Sequence, residues 1–187
     1  MVFVAGGHDD TKNAPKSVIA FAITKDEWIP LLDMAQECDE CKAMFHRGKF
    51  HVIGGYCTKL QGRFEESVET FDFSTWKWDQ VNKDYFACNM CLKACVASDN
   101  GKLYMCWASD VATLEKDILK IVAQLRAELG DVTYMTTWQE KLMVIGSLNF
   151  GVSHLAYMLD LINYTWTKVE LPKEYSGYVQ SSSYLEI

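Results

Sequence analysis

The sequence predicts an all-β chain built as a β-propeller, or an arc of one, with about four blades of four antiparallel strands. Three observations predict it. An apolar strand ending in glycine recurs at a period of about 46 residues, a tryptophan mark runs in phase with it, and short apolar runs are split by turn residues between the two.

The first repeat, about residues 1–39, opens on Val2-Phe3-Val4-Ala5 followed by Gly6-Gly7, and Phe21 precedes Trp28 by seven residues. Val2 to Ala5 reads as a second strand without its hairpin partner. The second repeat, about 40–86, carries apolar runs at Ala43 to Phe45, Phe50 to Ile53, Ser67 to Phe73 and Trp76 to Val81. Arg47-Gly48 stands between the first two as a hairpin turn would. Gly54-Gly55 lies 48 residues after Gly6-Gly7, and Phe71 precedes Trp78 by seven.

The third repeat, about 87–130, is degenerate. Gly101 to Trp107 aligns with Gly48 to Gly54 and keeps the apolar strand but loses the glycine pair, and Leu119 and Val122 stand where the Trp is due. Asn100-Gly101 reads as its hairpin turn. Within it, Leu114, Ile118, Ile121, Val122, Leu125 and Leu129 step by three and four, which alone would be an amphipathic helix. Repeat register demands strands there, and tertiary context commonly overrides local propensity, so strands are expected. The fourth repeat, about 131–174, returns to form with Leu142 to Ser147 and with Leu159 seven residues before Trp166. Residues 175–187 read as closing strands or the start of another blade.

Composition bounds the function. The chain has 187 residues, 49% hydrophobic and 23% charged, which suits a packed globular fold. Its formal net charge of −7 makes nucleic acid and anionic membrane poor partners. The longest apolar run, Val18 to Ile23, is too short to span a bilayer, and the start has no basic region ahead of an apolar stretch. Seven cysteines without a secretory signal point to reduced thiols in the cytoplasm or nucleus.

Cys38-x-x-Cys41 and Cys88-x-x-Cys91 have the spacing of two halves of a zinc site. One period separates them, so register puts them on adjacent blades and no metal or other cofactor is expected. Cys57, Cys95 and Cys106 read as small core fillers. His46 and His51 flank a hairpin turn and read as structural or solvent-exposed. Neither a phosphate-binding glycine loop nor a Gly-x-Ser-x-Gly elbow occurs.

The glycine-ended strand, the aromatic or Asp-marked strand and the Trp together resemble the kelch repeat, in four copies across essentially the whole chain. The stretches VFVAGGHDDTKNA, DEWIPLLDM, ECDECKAMFHRGKFHVIGGY and YTWTKVELPKEYSGYVQ resemble the plant F-box/kelch-repeat proteins. In that family an F-box docks on the Skp adaptor of a cullin–RING ubiquitin ligase, and the propeller picks the protein to be degraded. The resemblance implies targets such as phenylpropanoid-pathway enzymes or response regulators. The sequence opens on what reads as a blade strand, so the recognition half is what the resemblance is expected to supply, with the Skp adaptor a partner only if an F-box stands upstream.

The alternatives are a stand-alone kelch module that competes for the same targets and a metal-dependent kelch enzyme. Plant specifier proteins of that enzyme type use a Glu-x-x-x-Asp-x-x-x-His iron motif. Here the residues four before His46, His51 and His154 are Lys42, Arg47 and Phe150, so no catalysis is expected. The resemblance places the partner face on the loops after each glycine-ended strand: His8 to Lys16, Tyr56 to Phe64, Ala108 to Val111 and Leu148 to His154. The candidate contacts are His8, Asp9, Tyr56, Lys59, Arg63, Asn149, Phe150 and His154, with Tyr56 and Arg63 foremost, since Tyr, Phe and Arg are types enriched at binding hot spots. Trp28, Trp78 and Trp166 recur with the repeat and are expected to fill the gaps between blades.

Overall fold

The computed structural model describes residues 1–81, 92–98, 101–115, 118–170, 172 and 177–179. Cys88, Cys91, Asn100 and nearly all of 175–187 lie outside the described residues. The described residues are all-β apart from two short 3-10 turns, Thr58–Leu60 and Ala127–Leu129. They form two compact units, Met1–Cys91 and Leu92–Ile187. Each unit carries two up-and-down antiparallel sheets of the kind that make propeller blades.

In the first unit, β1 (Val2–Ala5), β2 (Val18–Ala22) and β3 (Glu27–Pro30) make a sheet of three strands among the described residues, with β1 paired to β2. The four-stranded sheet after it is β4 (Lys42–His46), β5 (Lys49–Ile53), β6 (Val68–Asp72) and β7 (Lys77–Trp78). β4 and β5 turn at Arg47-Gly48, whose φ values of 49° and 75° are the paired left-handed conformation of a tight hairpin.

The seven-residue spacing has a direct cause. Phe21 pairs with Trp28, Phe71 with Trp78 and Leu159 with Trp166 across their strands. In each joining turn the residue two before the Trp is left-handed: Asp26 (φ 54°), Trp76 (φ 55°) and Tyr164 (φ 58°). Asp72 and Asp160 cap these turns, accepting hydrogen bonds from the N–H groups of Ser74 (2.8 Å) and Ile162 (2.9 Å).

In the second unit, β8 (Leu92–Ala97), β9 (Leu103–Trp107), β10 (Asp110–Glu115) and β11 (Ile118–Gln124) form one sheet. The other comprises β12 (Asp131–Trp138), β13 (Lys141–Ser147), β14 (Leu155–Asp160) and β15 (Trp166–Val169). Within the helix-like stretch 113–129, residues 113–115 and 118–124 are strand, whereas Ala127–Leu129 form a 3-10 turn. Val111 pairs with Ala123 and Ala112 with Ile121, which leaves Val122 as a bulged extra residue. The bulge shifts the inward alternation by one position, and an alternation with one slip mimics a three-and-four pattern. Leu114 pairs with Leu119, so Leu119 holds the place that Trp takes in the other sheets.

Apolar side chains fill each unit. The first unit's core groups Val18, Met34, Cys38, Phe50, Val52 and Phe71, and Phe3 of β1 packs edge-on against Phe45 and Phe73. The second unit's core includes Cys106, Val111, Leu129, Leu142, Val144 and Leu159, all tightly buried. Trp78 donates its indole N–H to the Leu32 carbonyl (2.7 Å), in the segment leaving the preceding sheet, and Trp166 donates to Gln124 at the end of β11 (2.9 Å). Those two tie adjacent sheets together. Trp28 makes no such bond to the described residues: it is 56% exposed and rests on Phe21 of its own sheet.

Glycine serves the same close packing. The N–H of Gly7 bonds the Cys38 carbonyl at 2.9 Å, and a Cβ on Gly6 (φ 65°) would overlap that carbonyl. A Cβ on Gly55 (φ 83°) would lie 2.6 Å from the Asp39 carbonyl oxygen. Among the described residues no helix is long and apolar enough to cross a membrane.

Candidate partner-binding loops

In the first unit two loops carry five of the eight candidates. The 8–16 loop leaves β1 through Gly6-Gly7, and its shape is set by Asp9. The Asp9 carboxylate accepts hydrogen bonds from the N–H groups of Thr11 and Asn13 (both 2.9 Å) and from their side chains. Those bonds, led by the Asn13 N–H, hold the Asp9 carboxyl at about 2. Asp9 is therefore the organiser of its loop, though exposed.

His8 turns toward the second loop. Its Nδ1 lies 3.1 Å from Oδ2 of the buried Asp39, and Lys12 Nζ lies 3.0 Å from its Nε2. A ring donating from Nδ1 and accepting from Lys12 at Nε2 satisfies both contacts. The 56–64 loop is joined to the same place by the backbone: Asp39 and Tyr56 exchange two N–H to carbonyl hydrogen bonds of 2.9 Å. The Tyr56 hydroxyl donates to Glu40 at 3.3 Å, and its ring meets Phe64 edge-on at 5.6 Å.

Burial pushes the Asp39 carboxyl up, but hydrogen bonds from His8, the Glu40 N–H and Tyr56 outweigh it and hold it below the usual carboxylate value. Partial desolvation, followed by the nearby Asp39 and Glu40 carboxylates, pushes the Tyr56 phenol up to about 12. The structure thus joins His8, Asp39, Glu40 and Tyr56 into one hydrogen-bonded cluster. Its anchors, Asp39 and Glu40, were not singled out in sequence. The only signal for them was their position between Cys38 and Cys41, just ahead of β4.

Lys59 and Arg63 lie on the exposed side of the 56–64 loop. Lys59 borders a shallow groove also lined by Lys16, Glu37, Cys57 and Glu65. Glu37 clamps the loop by accepting the Thr58 N–H at 3.1 Å. Arg63 fixes its backbone through its N–H to the Leu60 carbonyl (2.9 Å), while no described residue holds its guanidinium. Exposed Leu60 and Phe64 flank it.

In the second unit the 148–154 loop carries the other three candidates. Phe150 is 96% exposed, and Leu148 and Val152 on either side are about half exposed. Asn149 turns the loop, its carbonyl accepting from Ser147 Oγ (2.9 Å) and from the Val152 N–H (3.3 Å). His154 faces inward: its Nδ1 accepts the Val179 N–H at 2.8 Å, its Nε2 lies 3.4 Å from Thr133 Oγ1, and its ring meets Tyr178 edge-on. Tyr178, which sequence reasoning passed over, donates its hydroxyl to the Gly151 carbonyl (2.7 Å) and steadies this loop. The remaining expected loop does not exist. Asp110 pairs directly with Trp107, so residues 108 and 109 are a two-residue hairpin turn with Ala108 at φ 50°. Without the glycine pair, β9 runs straight into β10.

The histidines and cysteines also find places. His51 is buried, bonds the His46 carbonyl from Nε2 (3.2 Å) and takes a contact from Thr70 at Nδ1 (3.1 Å), and desolvation lowers its pKa. Cys106 is buried in the core, while Cys57 and Cys95 are half-buried. Among the described residues no three His, Cys, Asp or Glu side chains gather as a metal site.

Comparison with known proteins agrees with this architecture. The chain is 41% identical over its whole length to the F-box/kelch-repeat protein At1g15670 of Arabidopsis thaliana, of which it covers 53%. It is 39% identical over its whole length to the F-box/kelch-repeat protein At1g80440 of the same plant, again covering 53%. No family model matches. Among solved structures, "Structure of YjhT" superposes with a TM-score of 0.67 at 14% identity, over 95% of this chain and 68% of that one, which shows the fold alone. Over its whole length the chain is thus similar to proteins named F-box/kelch-repeat, and its fold is all-β and propeller-type. It spans about half the length of the curated relatives it matches.

Proposed function

We propose that this kelch module selects target proteins for ubiquitination, as the recognition part of a cullin–RING ligase working in the cytoplasm or nucleus. Phenylpropanoid-pathway enzymes and response regulators are the proposed targets. The observation that carries the reading is the state of the loops after the glycine-ended strands. Phe150 stands 96% exposed between two half-exposed apolar neighbours, and Arg63 offers a guanidinium that no described residue holds, beside Leu60 and Phe64. Large apolar and Arg side chains left uncovered on loops held by fixed backbone contacts are what a partner's pockets can bury at low ordering cost. Whole-length similarity to proteins named F-box/kelch-repeat supports the ligase setting.

The test is a pull-down from plant extract with the chain as bait, read by mass spectrometry. Capture of such enzymes or regulators by the wild type, with loss in Arg63→Ala or Phe150→Ala, supports the proposal. Equal capture by both variants removes these two loops from target binding. Targets without the Skp adaptor would favour the stand-alone module, and the adaptor's direct capture would put the ligase contact within this chain.

A further inference from the structure

The turn before β4 carries two thiols that the proposed binding role does not use. Cys38 is buried and Cys41 half-buried, and Glu40 between them is left-handed at φ 52°, so the chain doubles back. The Cys38 sulfur and the Cys41 Cα lie 2.6 and 3.1 Å from one point, the place a Cβ on Gly55 would occupy. Each thiol also points at a backbone carbonyl, Cys38 at Gly54 (3.1 Å) and Cys41 at Ala5 (3.6 Å), and the side-chain hydrogen bond each takes part in is with the other cysteine. From this juxtaposition we infer that Cys38 and Cys41 form a reversible dithiol–disulfide pair, a modification site for peroxide.

The chemistry assigns the roles. A hydrogen bond from Cys38 lowers the Cys41 pKa, whereas that same bond and burial raise Cys38. Cys41 is the less buried residue and carries the lowered pKa, so its thiolate attacks one peroxide oxygen. The O–O bond breaks, Cys41 becomes a sulfenic acid, and the departing oxygen leaves as water after taking a proton. The Cys38 sulfur then attacks the sulfenic sulfur, the S–O bond breaks, and a second water carries off the Cys38 proton. Two thiols lose two electrons and two protons, and one peroxide becomes two waters. Gly55 leaves room at this turn, since a Cβ there would lie 2.6 Å from the Cys38 sulfur and 3.1 Å from the Cys41 Cα.

The bond has a structural consequence. It removes both thiol hydrogen bonds to the Gly54 and Ala5 carbonyls and constrains the turn containing Asp39, whose carboxylate holds His8 and whose backbone holds Tyr56.

The full chain, reduced and then treated with hydrogen peroxide, is alkylated and peptide-mapped. The expected result is that Cys38 and Cys41 lose alkylation together, appear as one cross-linked peptide lacking two hydrogens, and recover on treatment with dithiothreitol. Cys57→Ser should leave this unchanged, and Cys41→Ser should leave Cys38 alkylatable. The inference is overturned if both thiols stay alkylatable in the wild type. It is equally overturned if Cys41 ends as a sulfinic acid with Cys38 free, or if either sulfur links to Cys88, Cys91 or another cysteine. The wild-type map decides alone should a variant fail to fold.

Discussion

Replacing Trp78 by Ala tests the coupling between adjacent sheets in the first unit. Three contributions are lost. The indole hydrogen bond to the Leu32 carbonyl contributes about 1 kcal/mol. The edge-on contact with Phe71, at 5.2 Å, contributes about 1 kcal/mol more. Because the ring is half-buried, its apolar burial contributes about 1 to 2 kcal/mol, short of full burial. The expected loss is therefore about 3 to 4 kcal/mol, at the lower end of what removing a Trp costs. Trp28 occupies the same repeat position but is 56% exposed, and its described contact is the ring of Phe21. Trp28→Ala should cost only about 1 kcal/mol, and Trp78→Phe about 1 kcal/mol for the lost N–H. Urea unfolding followed by circular dichroism, with the slope checked for each variant, reads the differences. Equal losses for Trp78→Ala and Trp28→Ala, or a loss below about 1 kcal/mol at Trp78, would refute the assignment of Trp78 as the tie between sheets.

Other outcomes follow from local geometry. Gly55→Ala should lose more than about 2 kcal/mol, because φ is 83° and the new Cβ would meet the Asp39 carbonyl and Cys38 sulfur at 2.6 Å. Gly48→Ala, with φ 75° but nothing within 4 Å, should lose only about 1 kcal/mol, and thermal unfolding separates the two. The Asp9 carboxyl is depressed from 3.8 to about 2, so its ordering of the 8–16 loop is complete above the ordinary carboxylate value and fades as pH falls toward 2. Amide shifts of Thr11 and Asn13 should move in that window, and Asp9→Ala should abolish the transition. Arg63→Ala and Phe150→Ala should leave the unfolding midpoint unchanged within about 0.5 kcal/mol, since both side chains are exposed.

The repeat was legible because it is written in residue types that the backbone requires locally. The Arg47-Gly48 hairpin, the left-handed position two before each Trp, and the Asp caps at Asp72 and Asp160 depend on neighbours within a few residues. Strand identity at 113–115 and 118–124 was legible only through register, since the bulge at Val122 disguises alternation as a helical step. The site was less legible. Phe150 and Arg63 could be placed on exposed loops by counting from the glycine-ended strands, but Ala108 to Val111 was counted as a loop by the same rule and is a hairpin turn. Periodicity transfers a position without transferring the glycine pair that makes the loop.

What the chain determines by itself is therefore its blade: where strands begin, where they turn and which residues alternate inward, all consequences of short-range sterics and burial. What only the tertiary structure decided is which side chains meet across separate segments. His8 and Asp39 are 31 residues apart, and Trp78 and Leu32 are 46 apart. Trp28, Trp78 and Trp166 carry the same mark, yet among the described residues Trp78 and Trp166 reach a backbone carbonyl in or just after the preceding sheet whereas Trp28 rests on its own sheet. A one-dimensional pattern records what each residue is, whereas a hydrogen bond or a buried ring depends on what another part of the chain brings to it.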